Sequence, residues 1–284
     1  MSNISCMKSY VDLLPESYRP RQCSPVWQTP PENWRDQLAA TVQKGVGANA
    51  ATIFFRADDI GAGGRAFEAL CRLFRKHEIP LGMAVVPAWL SNVRKSQLFE
   101  SAPLEEPLWG WHQHGWRHVN WQRAGKKSEF GEQRPFEKQW RDIWQGQQKM
   151  QEIFGDHLVR VFTPPWNRLS HSTLRILQEL GFKGVSLAGA FPRGIKTPVV
   201  LRNLRIQLDL HTRRTDNGDS DFQLLLEDLK ILLGRKEPWG IMIHHQRMTT
   251  FAFQFLDELL RLLKSEARAN FPCFEEVLEK EDER

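Results

Sequence analysis

The chain has few cysteines, no long apolar run, no internal repeat and no block of basic residues, and each absence closes off a class of protein. Its four cysteines, Cys6, Cys23, Cys71 and Cys273, lie far apart and form no CxxC pair, so no disulfide framework is expected and the thiols read as reduced. No apolar stretch approaches the length of a membrane span, and the opening residues lack the apolar core of an export signal. The expectation is a protein that stays in the cytoplasm, with peripheral contact to an anionic membrane surface left open. Lys and Arg are dispersed along the chain at a formal net charge of +5. That balance weakly favours anionic partners, phosphorylated small substrates among them, and carries no nucleic-acid signature.

At 284 residues there is material for a substantial core. Residues 1–50, with Pro15, Pro20, Pro25 and Pro30 among polar residues, read as an extended arm followed by a first helix over Pro31–Lys44. From residue 51 to 284 short apolar runs alternate with amphipathic ones. Strands are expected at Ala51–Ala57, Leu81–Val86, Leu108–His112, Val159–Thr163, Gly184–Leu187, Val199–Leu201 continuing at Arg205–Leu210, and Gly240–His244. Helices are expected at Gly64–His77, Pro135–Phe154, Ser170–Leu180, Asp221–Leu233 and Phe251–Ala267, with Ser170 and Asp221 at N-cap positions and Gly181 and Gly234 as stops. This alternation argues one α/β domain with a parallel sheet, open or closed into a barrel. Six of the 11 tryptophans fall between Trp109 and Trp144, as core or as a platform for sugar rings.

Against this background the pair Asp58-Asp59 at the end of the run Ala-Thr-Ile-Phe-Phe-Arg-Ala stands out. Adjacent carboxylates closing a buried strand repel unless a cation is near. The segment His112-Gln-His114-Gly-Trp-Arg-His118 answers that need. One acid with two histidines four residues apart makes a three-ligand site with open positions, the pattern of a catalytic divalent metal, and leaves the other acid free as a base. His112 reads as a supporting or packing residue, and His245 as structural or substrate-contacting. Asp58/Asp59, His112/His114, Thr163-Pro-Pro-Trp-Asn167, Asp209/His211 and His244/His245 all follow the C-terminal ends of expected strands. That is the rim where α/β sheets and barrels build their sites.

These segments, in this order, resemble the polysaccharide deacetylase family, the NodB-homology or carbohydrate esterase family 4 group, over roughly residues 51–245. The resemblance implies a distorted (β/α)7-type barrel and metal-dependent removal of an N-acetyl group from an amino sugar. It implies Asp58 as general base, Asp59, His114 and His118 as ligands of a divalent metal, most simply zinc, and His244 as general acid. The Trp166 N–H would help hold the oxyanion, with Pro165 and Arg168 beside it on the substrate side. Asp209 is expected to orient His244, with His211 as its competitor. The expected substrate is a small nucleotide- or lipid-linked glycan precursor. The alternatives are a non-sugar amide on the same scaffold, or a degenerate barrel that binds a glycan without turnover.

The chain departs from the family pattern at Arg56-Ala57, where a Thr-Phe pair is usual, and at Thr163, where the family carries the Arg that orients the base. Arg56 and Asp58 are one strand period apart and face the same way. Arg56 is therefore expected to replace the missing Arg, tethering Asp58 and depressing its pKa.

Overall fold

The computed structural model describes residues 13–47, 50–192, 201–213 and 217–279. Eight parallel strands form one curled sheet: β1 (Ile53–Ile60), β2 (Leu81–Val85), β3 (Trp109–His114), β4 (Leu158–Thr163), β5 (Gly184–Val185), β6 (Arg202–Asn203), β7 (Ile206–Asp209) and β8 (Trp239–Ile243). Their order is β6-β5-β4-β3-β2-β1-β8-β7. The edge strands β6 and β7 are successive pieces of one run. The N–H groups of Arg202, Leu204 and Ile206 donate to the carbonyls of Lys183, Val185 and Leu187, while Gly240 donates to Arg205, so this run draws the two edges together. The expected distorted barrel is thus present as a curled parallel sheet.

Helices α1 (Trp34–Gly45), α2 (Arg65–His77), α3 (Asn92–Ser101), α4 (Phe136–Phe154), α5 (His171–Glu179), α6 (Gly218–Leu233) and α7 (Thr250–Ser265) connect or flank the strands, and α8 (Phe274–Glu279) closes the described chain. Strand alternation sorts β1 into two faces. Ile53, Phe55 and Ala57 pack outward into the large cluster under the helices. Phe54, Arg56 and Asp58 stand on the alternate face, turned to the barrel interior. Phe54 meets Val161, Leu204, Ile206 and Met242 there, and Phe274, Val277 and Leu278 of α8 complete the same cluster as a floor. Gly82 and Gly184 make room for it, since a Cβ would come within 2.7 Å of the Phe274 ring at the first and 2.8 Å of Leu278 at the second.

Some elements differ from the sequence expectation for identifiable reasons. β1 was expected to stop at Ala57 and instead runs through both acids to Ile60, with Arg56 receiving Asp58 inside the barrel and His114 and His118 facing Asp59. Similarly β3 extends to His114 rather than ending at His112. Helix α3 was not expected: it buries only Leu98 and shows no apolar stripe, although Ser91 caps it by accepting from the Arg94 N–H. Helix α6 starts before Asp221, on Asn217, whose side chain accepts from the Ser220 N–H, and Asp221 is buried in its first turn. Ser170 caps α5 as expected, in a reciprocal box with Thr173. Of the expected strand Val199–Leu201, residues 199 and 200 lie outside the described residues, as does Cys6. The tryptophans are divided: Trp109 and Trp111 are core, whereas Trp121 and Trp144 are exposed.

In the N-terminal arm Trp27 is fully buried, donates through Nε1 to the Leu210 carbonyl at 2.7 Å, and accepts at its own carbonyl from Thr249 Oγ1 at 2.6 Å. The arm is thereby tied to the rim beside His211 and the β8 loop.

Candidate metal and acid-base site

The C-terminal rim brings together Asp58 and Asp59 from β1, His114 from β3, His118 from the loop behind it, Trp166 and Asn167 after β4, and His244 after β8. Asp58 faces inward and is clamped by Arg56: Nε donates to Oδ1 at 2.7 Å and Nη2 to Oδ2 at 2.9 Å. Arg56 has no exposure to solvent and donates also to the Ser186 carbonyl and hydroxyl, to Asn167 Oδ1 and to Met242 Sδ. Burial pushes the Asp58 carboxyl up, but Arg56, His114 and His244 outweigh it and hold the group below the usual carboxylate range. Thr163, at the motif-Arg position, instead bonds His112: its Oγ1 lies 3.0 Å from His112 Nε2, while His112 Nδ1 sits 3.0 Å from the Gly110 carbonyl. Burial pushes His112 down to about 3, and it stacks toward Phe274 one layer below the rim, outside the group formed by Asp59, His114 and His118.

Asp59 turns the other way, at a left-handed φ of 61°. Its Oδ1 lies 3.3 Å from His114 Nε2 and 3.1 Å from His118 Nε2. The three ligand atoms fall within 4.8 Å of one another. His114 Nδ1 sits 2.9 Å from the Thr163 carbonyl, which assigns the proton there and leaves the Nε2 lone pair facing Asp59. Asp59 Oδ1 is buried without a hydrogen bond of good geometry. Two imidazole nitrogens converging on an unpartnered carboxylate oxygen form a donor set that fits a divalent cation. Burial raises Asp59, but His114 and His118 hold it well below its ordinary value. His118 is pushed down to about 4, first by burial and then by His114. His114 is raised, since Asp59 and Asp58 outweigh its own burial.

One residue escaped the sequence reading. Glu129 is fully buried, and its carboxylate accepts from the N–H groups of Trp116, Arg117 and His118 at 3.3, 2.8 and 3.1 Å. It gathers the turn that puts His118 at a left-handed φ of 58°. Burial raises its pKa against those three donors. Nothing in the loop sequence Lys-Lys-Ser-Glu-Phe marks it, because the partners are backbone groups.

The other expected residues divide. Trp166 sits at φ 58°, with its ring centroid 4.4 Å from that of His118, and no hydrogen bond engages its N–H among the described residues. Pro165, its neighbour in the same turn, is buried. Arg168 is exposed and donates to the Lys127 carbonyl at 3.0 Å. Asp209 does not reach His244: Oδ1 accepts from the His211 and Thr212 N–H groups and Oδ2 from the Thr212 hydroxyl, so the carboxylate closes its own turn. His211 is the residue that touches His244, its Nδ1 accepting the His244 N–H at 3.3 Å. His211 is held neutral by burial, next to Trp27 of the arm. His244 Nδ1 is buried without a partner.

A curled parallel α/β sheet carries two acids, three histidines and an unengaged N–H at one rim. Residues 47–185 match the family model described as polysaccharide deacetylase. No protein of curated function matches. Among solved structures, a candidate polysaccharide deacetylase from Mycobacterium smegmatis shares the fold at 14% identity and a TM-score of 0.57, covering 82% of this chain and 91% of that one. A family 4 acetyl xylan esterase from Clostridium thermocellum, solved with a cobalt ion, matches at 12% identity and TM-score 0.51, covering 82% and 92%. A variant of a family 4 pseudoenzyme from Bacillus anthracis matches at 13% and 0.50, covering 82% and 68%.

Proposed function

We propose that this protein is a metal-dependent hydrolase that removes the N-acetyl group from an amino sugar in a small, nucleotide- or lipid-linked glycan precursor. The observation that carries this is the division of labour between adjacent acids: Asp59 lies with two histidines, and Asp58 lies apart, locked ionised by Arg56. A divalent metal held by Asp59, His114 and His118, zinc by preference for this donor set, would supply Lewis-acid polarisation of the amide carbonyl and acidify a water.

This chain's residues do the rest. Asp58 accepts the proton of the attacking water, and Arg56 keeps it ready by holding both carboxylate oxygens. The Trp166 N–H faces the oxygen that becomes negative as the carbonyl carbon turns tetrahedral. His244, at the end of β8 beside the acids of β1, gives a proton to the departing amine, its backbone N–H held by His211.

The rival reading is a barrel that binds glycan without turnover, and the feature favouring it is Thr163 in place of the family's Arg. Arg56 answers that objection chemically, since its guanidinium reaches the same carboxylate. Acetate release from a panel of N-acetylated sugars, compared between the wild type and Asp58→Asn, tests the assignment. Release by the wild type alone supports it, and a folded, metal-loaded wild type silent on the whole panel would favour the binder.

A further inference from the structure

We propose that the cleft beside Asp59, walled by the start of α2, Arg94 and His245, binds a phosphate group of the substrate. The proposal builds on the deacetylase reading and narrows its substrate to phosphate-bearing sugars. The cleft is about 700 Å³ and has Asp59 in its wall, so a ligand bound in it reaches the acid cluster directly.

Four observations point to an anion. The chain leaves β1 as Gly61-Ala-Gly-Gly64 and enters the 13-residue helix α2 without a side-chain cap. Gly64 sits at φ 131°, where a side chain would be strained, and the first helical N–H to find a partner is that of Glu68, donating to the Gly64 carbonyl at 2.9 Å. The N–H groups of Arg65, Ala66 and Phe67 have no partner among the described residues. Such a helix start favours negative charge. Second, Arg65 and Arg94 border the cleft, both exposed and neither in an ion pair among the described residues. Third, Asp59 is the single acid among the lining residues, and it is already faced by His114 and His118. Fourth, His245 lines the same cleft at 4% exposure, and its buried Nδ1 has no hydrogen-bond partner. An unpaired buried polar atom at the edge of a cleft leaves a position that a water or a ligand atom fills.

A tetrahedral phosphate ester suits backbone N–H groups with two guanidinium-bearing residues at the cleft border, of which Arg94 also donates through Nη1 to the Trp89 carbonyl at 2.9 Å. With the phosphate here, the acetamido end of the sugar extends toward Asp59. A nucleoside diphosphate and a lipid diphosphate carry the same group.

The test is calorimetric titration of metal-loaded Asp58→Asn protein, which does not consume its ligand, with N-acetylglucosamine 1-phosphate and with N-acetylglucosamine. The phosphorylated sugar is expected to bind about tenfold more tightly or better, the scale of charge-assisted hydrogen bonds. Adding Arg65→Ala and Arg94→Ala should abolish that preference while metal content is unchanged. Equal affinities would overturn the proposal. So would a preference that survives the double substitution, because the phosphate would then be sitting on the metal. Repeating the titration with UDP-N-acetylglucosamine and with a polyprenyl-diphosphate sugar in micelles separates the sources. The one weakened more by the double substitution is the natural form, and neither being weakened overturns the site. Phosphate preference without acetate release by the wild type would sink the deacetylase reading alone, and acetate release without phosphate preference would sink this one alone.

Discussion

Arg56 and Asp58 form a closed two-bond pair inside the barrel, guanidinium Nε and Nη2 against the two carboxylate oxygens at 2.7 and 2.9 Å. The family's usual Arg would approach the same carboxylate from β4. Here the cation comes from two residues upstream on the acid's own strand, so the spacing between partners is set by strand geometry alone.

Replacing Arg56 should therefore change when Asp58 ionises. In Arg56→Met the burial that pushes the carboxyl up is opposed only by the histidines. The acidic limb of the pH–rate profile should move upward by about one unit or more. Stability should change sign in its pH dependence as well. In the wild type the depressed carboxyl contributes stability that is present above its unfolded pKa and lost as pH falls through the folded value. In the variant a raised carboxyl holds a proton the unfolded chain has released, so stability declines as pH rises toward the folded value. Thermal melts across pH 4–8 would read this, with about 3–5 kcal/mol lost at neutral pH for an orphaned buried charge.

The adjacent acids should give different phenotypes. Asp59→Asn, His114→Ala and His118→Ala are expected to lose bound metal, measured by elemental analysis of folded protein. Asp58→Asn is expected to keep it and lose turnover. Unchanged metal in the histidine variants would dismantle the ligand assignment.

His244→Ala should lower kcat by about 10²–10⁴, the contribution of a general acid, with KM little altered. His211→Ala should act more weakly, since it touches only the His244 backbone. Full activity in His244→Ala would move the proton donor elsewhere.

Glu129→Ala should weaken metal binding by about tenfold although no ligand is removed, because the turn holding His118 loses its acceptor. Competition against a chelator of known affinity reads this directly. Affinity equal to wild type would mean that the turn holds its shape through packing alone.

How far the sequence carried these conclusions depends on what kind of signal each feature leaves. Asp58, Asp59, His114 and His118 were legible because charge at the end of apolar runs has no packing explanation. Arg56 was legible because strand period is a covalent regularity, and it held because β1 continues to Ile60. Asp209 misled because a carboxylate two residues from a rim histidine looks like an orienting partner, and sequence cannot show that the turn takes up both oxygens. Glu129 and α3 left no trace, the first acting through backbone donors and the second lacking an apolar stripe. The floor helix Phe274–Glu279 is too short to announce itself by periodicity.

That floor has a kinetic consequence. Among the described residues, Phe274, Val277 and Leu278 pack across the lower end of the barrel, opposite the rim that carries the acids and histidines. On the proposed deacetylase reading, a freed amino sugar still carrying its anchor would stand at the rim where the next substrate enters, so turnover at high conversion should slow by competition from the product.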